Sequence, residues 1–157
     1  MDFDDFYRQQ REGLVRLCFL ATLDRETAAD AAQEAMLRAF ANWDRLRDQM
    51  ALAWVRRVAL NVCRSRWRRA QRELKLVPRL FTLPARVGPS DPDLVEALRR
   101  LPLRQREAVV LRYWGGLSIE ECATIMGVSV GAVNQHLTRA RGALQGDSAF
   151  VIAEGLA

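Results

Sequence analysis

The sequence predicts an all-α protein made of two small helical domains joined by a flexible linker. Three observations lead there. Apolar residues recur at three- and four-residue spacing almost throughout, and few β-branched runs alternate with period two. The helical pattern then lapses between residues 71 and 90, where Pro78, Pro84, Gly88, Pro89 and Ser90 bring turn chemistry. A chain of 157 residues, 50% hydrophobic and 27% charged, suits one or two small domains and leaves no room for a large multilayer enzyme.

Taken in order, helices are expected near 3–21, 26–43, 50–70, 92–100, 103–113, 118–126 and 130–144. Asp91 can cap a helix that begins at Pro92, and Ser118 with Glu121 has capping-box spacing. The domains are then 1–70 and 92–146, with a linker at 71–91 and a short tail at 147–157 that carries no readable signal. About 20 extended residues reach roughly 70 Å, enough to place two domains on separate sites of one DNA.

Charge is sorted along the chain. The net charge is +5, and 23 of the 24 cations are arginines, Lys75 being the exception. Arginine presents a planar fork suited to phosphates and base edges, although an Arg- and Ala-rich composition also follows from GC-rich coding. Residues 1–70 carry 13 arginines against 10 acids, and Arg56, Arg57, Arg64, Arg66, Arg68 and Arg69 crowd into 14 positions that hold no acid.

Three helical faces follow. In helix 26–43, Ala32, Ala35, Met36, Ala39, Phe40 and Trp43 are expected inward. The other side presents Asp30, Gln33, Glu34, Leu37 and Arg38, a leucine ringed by both charge signs, as on a protein-docking surface. In helix 50–70 the apolar stripe is Leu52, Val55, Val58, Ala59 and Val62. Arg57, Asn61, Arg64 and Arg68 align opposite it, with Arg56 alongside, as a phosphate-tracking row. Trp54 and Trp67 lie to either side; Trp54 reads as packing, and Trp67 equally as packing or as a platform for an unpaired base.

The third face belongs to a helix-turn-helix from Ile119 to about Val133. Ala123 stands at the helix crossing, Gly127 in the turn, and Val133 anchors the second helix, although an ordinary helical hairpin has similar spacing. Cys122, Met126, Val128, Val133, Leu137, Ala140 and Leu144 supply its apolar side. Gly131, Asn134, Gln135 and Thr138 then point outward, where Asn and Gln can contact adenine bidentately. Arg139 and Arg141 flank them for phosphates, and His136 sits at the edge, half packing and half phosphate contact.

Other chemistries lack their residues. Cys18, Cys63 and Cys122 are far apart and odd in number, so they read as core residues rather than a zinc site or disulfides. The single histidine supports no catalytic triad or two-His metal site, and neither GxGxxG nor GxxxxGK[ST] occurs. No enzyme activity, metal or cofactor is expected. The acidic start and the lack of a long apolar run lead us to expect neither a secretory signal nor a membrane span, and a cytoplasmic location.

Read in order, the segments Asp30–Phe40, Ala53–Asn61, Arg64–Arg69, Leu101–Glu107 and Leu117–Leu137 resemble an extracytoplasmic-function (ECF) sigma factor of the sigma-70 family, of the short actinobacterial-type branch. The resemblance implies a σ2-like first domain whose Asp30–Arg38 face docks on the β′ clamp helices of core RNA polymerase. Helix 50–70 would read and melt the −10 element, with a flipped base near the loop 44–50. The linker would thread toward the polymerase active centre and RNA exit channel. A σ4-like second domain would read the −35 element and touch the β-flap. Catalysis would belong to the polymerase, and members are often held by an anti-sigma factor. Two departures stand out: Ala31 replaces a common leucine, and Asn134-Gln135-His136 replaces a more basic recognition sequence. The rival is a stand-alone helix-turn-helix regulator, which would leave the arginine row idle.

Overall fold

An acidic cap opens the first helix. Asp2 accepts the Asp5 N–H at 2.9 Å, and Asp4 and Asp5 sit in the first turn, where the helix dipole favours negative charge. The structure is a computed structural model that describes residues 1–48, 50–73 and 92–146. Its regular elements are helical, and they cluster into two compact units, Met1–Gly88 and Pro89–Ala157.

The first unit contains α1 (Phe3–Thr22), α2 (Arg25–Ala41), the short α3 (Trp43–Leu46) and α4 (Ala51–Glu73). α1 stops at Leu23, a leucine in the left-handed region at φ 56°, whose N–H reaches Phe19 O at 2.6 Å. That conformation costs about 1–2 kcal/mol for a residue with a Cβ, and burial of the leucine side chain offsets it. The Thr22 hydroxyl donates to Cys18 O at 2.8 Å, and Thr27 donates to the Asp24 carboxylate at 2.6 Å, which fixes the turn into α2. α2 buries Ala28, Ala31, Ala32, Ala35 and Ala39 with Met36. Such short side chains let α1 and α4 approach closely, and the two also touch each other. Ala31 is fully buried at this contact. Cys18 and Cys63 are fully buried in the same core, and the neighbouring Cys63 together with burial raises the Cys18 thiol pKa well above its usual value. As small core residues they match the sequence expectation.

Several boundaries and faces differ from it. The helix expected over 26–43 breaks at Asn42, whose φ is −119° and whose side-chain amide donates to Arg38 O at 2.8 Å. An asparagine that bonds its own backbone competes with the helical ladder. Phe40, expected inward, is 63% exposed; it meets the Phe3 ring edge-on, centroids 5.1 Å apart, at the margin of the core. Trp43 is half-buried against Phe3 and Phe6. On α4 the buried stripe is Ala51, Val55, Ala59, Leu60, Val62 and Cys63, while Leu52 and Val58 are only half-buried. The core wraps farther round α4 than a narrow stripe allows, because α1 and α2 both cover it. α4 runs to Glu73, past the expected end at 70. Most of the expected linker, the Asp91 cap and the tail lie outside the described residues.

The second unit contains α5 (Pro92–Arg99), α6 (Leu103–Val109), α7 (Ile119–Met126) and α8 (Val130–Ala143). Pro92 opens α5 as expected, and Leu94, Val95, Ala97 and Leu98 form its buried side. Arg106 is buried and donates to Leu98 O at 2.9 Å and Leu101 O at 3.1 Å, satisfying carbonyls around the end of α5. Burial, then repulsion from Arg99, pushes its pKa down to about 10. The helix expected over 103–113 widens after Val109 into one i→i+5 turn, Val110–Trp114. It closes through Gly115 N–H to Val110 O at 2.9 Å. A Cβ on Gly115 would lie 2.5 Å from Leu111 O, so the close approach requires glycine. Gly115→Ala is therefore expected to destabilise the second unit by about 1–3 kcal/mol, measured by denaturant unfolding, with the first unit unchanged.

Candidate nucleic-acid interface

α7 and α8 are set at their starts by side-chain caps. The Ser118 hydroxyl accepts from Glu121 N–H at 3.1 Å while Glu121 accepts from Ser118 N–H at 2.8 Å, the predicted capping box. α7 ends at Gly127, in the left-handed region at φ 67°, and Ser129 caps α8 by accepting Ala132 N–H at 3.1 Å. Across the turn, Arg104 on α6 donates to Met126 O at 2.9 Å and to the buried Glu107 at 2.6 Å, pinning the end of α7. Ala123, Val133, Leu137 and Ala140 are buried, which turns Gly131, Asn134, Gln135, Thr138, Arg139 and Arg141 outward as expected.

Two residues of α8 have surroundings the sequence did not reveal. Arg141 donates from Nη2 at 2.9 Å and from Nε at 3.2 Å to the Tyr113 hydroxyl, a residue of the wide turn 28 positions away. No local pattern signals such a contact. His136 is half-buried, and its Nδ1 is buried without a hydrogen bond among the described residues. Burial, then the positive charges of Arg104 and Arg139, lowers the imidazole pKa below its usual value.

On α4, Arg57, Asn61 and Arg68 are exposed and Arg64 is half-buried, all opposite the core stripe. Arg64 donates from Nε to Leu60 O at 3.3 Å and from Nη2 to Asn61 Oδ1, which leaves the Asn61 amide N–H groups facing outward. Among the described residues, Arg57 and Arg68 meet no carboxylate. Arg56 and Trp54 are half-buried, and Trp67 is 37% exposed beside the row.

The acidic side of α2 is less open than expected. Gln33, Leu37 and Arg38 are exposed, Leu37 by 61%. Asp30 and Glu34, however, are half-buried and engaged: Arg66 lies 2.8 Å from Asp30 and 3.7 Å from Glu34, and Arg38 also pairs with Glu34. Positions 55, 59, 62 and 66 share one helical face, a signal that sets Arg66 apart from the outward row.

Comparison with known proteins gives the family of the chain. Residues 6–73 match the family model Sigma-70 region 2, and residues 93–144 match Sigma-70, region 4. The RNA polymerase sigma-E factor of Streptomyces avermitilis is 35% identical over 147 residues, covering 89% of this chain and 81% of that one. The ECF RNA polymerase sigma factor SigM of Mycobacterium tuberculosis is 34% identical over 146 residues, covering 90% and 74%. The chain belongs to the ECF RNA polymerase sigma factors. Among solved structures, the sigma factor RpoE of Bartonella quintana, crystallised with the anti-sigma factor NepR, matches with a TM-score of 0.72 at 27% identity, covering 90% of this chain and 94% of that one. CnrH, solved with the cytosolic domain of CnrY, matches with a TM-score of 0.66, also at 27% identity, over 97% and 88%.

A sigma factor directs promoter-specific initiation by core RNA polymerase, so the stand-alone regulator is set aside: the unit holding the arginine row matches Sigma-70 region 2. Among the described residues no helix is long and apolar enough to cross a membrane. For this sigma factor the His136 shift sets a pH dependence. A histidine with a lowered folded pKa resists protonation, so the unfolded state binds more protons below about pH 6.5 and stability falls as pH falls. Unfolding of the second unit followed between pH 7 and 5.5 is expected to show that slope, and His136→Gln to flatten it.

Proposed function

We propose that the two units divide promoter recognition between them. The unit holding residues 1–70 docks core polymerase through Gln33, Leu37 and Arg38 of α2, with Asp30 and Glu34, on the β′ clamp helices. Along α4, Arg56, Arg57, Asn61, Arg64 and Arg68 hold the −10 strands as they separate, with Trp67 beside them to stack an unpaired base. Residues 92–146 read the −35 element in the major groove through Gly131, Asn134, Gln135 and Thr138, and approach the β-flap. Arg139 and Arg141 hold phosphates, and His136 supports the face. Residues 71–91 thread toward the polymerase active centre. The chain works in the cytoplasm, supplies specificity and strand opening, and leaves catalysis to the polymerase. An anti-sigma factor is a further partner, by analogy with the RpoE structure.

One observation carries this reading. Arg66 and Arg69 on α4 are met by carboxylates, Arg69 by Glu73 at 3.2 Å, while among the described residues Arg57 and Arg68 of the outward row are not. Like charges on one helix face are destabilising, by a few tenths of a kcal/mol per pair, and nucleic-acid phosphates relieve that repulsion.

Arg57→Ala with Arg64→Ala is expected to reduce open-complex formation to background while association with core polymerase survives. The salt slope of single-strand binding should fall by about 1.4 for two lost phosphate contacts. Wild-type opening by this variant contradicts the assignment. Gln135→Ala should change the ranking of −35 variants, by about 1–3 kcal/mol at the contacted base pair, in a competition selection. A uniform loss across all variants marks Gln135 as a positioning contact instead.

A further inference from the structure

The first turn of α8 carries an apolar side chain that the core does not use. Val130 is 41% exposed, and among the described residues it is the one large hydrophobic side chain of the second unit left exposed. It stands at the first position of the helix, after the Ser129 cap, and Asn134 follows one turn later on the same flank. Gly131 beside it adds no bulk. A Cβ there would meet nothing nearer than Ser129 Oγ at 3.8 Å, so packing does not demand the glycine. It weakens the helix relative to alanine and leaves a bare first turn. In a helix-turn-helix, the N-terminal residues of the second helix are the ones that reach base edges.

The residues around Val130 narrow what it meets there. From Val130 to Thr138 the helix holds no Arg, Lys, Asp or Glu, and Arg139 and Arg141 lie in its second half. Arginine and lysine pair with guanine O6 and N7, and carboxylates accept from cytosine N4. Asn134 and Gln135 instead match adenine N6 and N7, and an aliphatic side chain matches the C5-methyl of thymine. The Thr138 hydroxyl, which serves any base, already donates to Asn134 O at 2.8 Å. We infer that Val130 is a specificity residue of the −35 contact: its methyls pack on a thymine C5-methyl near the adenine taken by Asn134, so this face reads A·T pairs. The inference deepens the −35 assignment proposed above and rests on it. Four residues of helix rise about 6 Å, against ~3.4 Å per base-pair step, so the thymine lies within two steps of that adenine.

The test uses the full chain bound to core polymerase and promoter duplexes selected from a randomised −35 region. The selected elements are expected to carry A·T pairs at the positions whose preference changes with Asn134→Ala or Gln135→Ala, and a thymine within two steps of them. Deoxyuridine in place of that thymine removes the C5-methyl alone. The exchange should weaken binding about two- to fourfold for the wild type, as expected for one buried methyl, and leave Val130→Ala binding unchanged. Val130 lies outside the core, so Val130→Ala keeps the fold. An equal loss with Val130→Ala, or no loss from deoxyuridine at any thymine of the element, overturns the inference. So do G·C pairs at the positions that respond to residues 134 and 135. Those results leave the −35 assignment standing, because a preference set by α8 is still observed. A selection without −35 preference, or one that neither Asn134→Ala nor Gln135→Ala alters, removes that assignment and the inference with it.

Discussion

Guanidinium groups at positions 57, 64 and 68 share one side of α4 with no acid between them, and the helix persists because its other side is anchored. Burying Val55, Leu60 and Val62 contributes about 1.5–3 kcal/mol each, against about 0.2–0.5 kcal/mol for a like-charge pair on a helix surface. The core wins by a wide margin. It can therefore hold an electrostatically unfavourable row outward, ready for a polyanion. The Asn61 amide, bonded to Arg64, breaks the row of charges and orders it at the same point.

The alanines of α2 serve that arrangement. Because Ala28, Ala31, Ala32, Ala35 and Ala39 take so little room, α2 lies close enough to α4 for Arg66 to span to Asp30 and Glu34. A bulkier α2 would push the helices apart and leave those charges unmatched. In the second unit a different device does the positioning. Arg104 and Arg106, together with the glycine-dependent wide turn, tie helix ends through backbone carbonyls, and the caps at Ser118 and Ser129 set the start of each helix of the pair.

Helical class, the capping box and the outward set on α8 were legible because each depends on residues within a few positions. The outward row on α4 was legible for the same reason. What escaped depends on distant partners or on local competition. Leu60 and Cys63 are buried because two helices, not one, cover α4. Phe40 is exposed because the core ends beneath it. Asn42 interrupts its helix by bonding backbone, and α6 widens where Gly115 lets the chain approach Leu111. The sequence placed Arg66 in a cationic cluster and Asp30 and Glu34 on an open face; neither could show that they hold each other across 36 residues. Tyr113 with Arg141 is a similar case.

The central claim is that the outward side of α4 grips a strand as the duplex comes apart. A photoreactive amino acid placed at Asn61, in an open complex on a promoter selected with this chain and core polymerase, tests it most directly. Crosslinks to the unpaired strand of the −10 region, absent when the same group is placed at Leu60 on the buried side, are the predicted result. Crosslinks from position 61 to polymerase alone, or to no partner, contradict it.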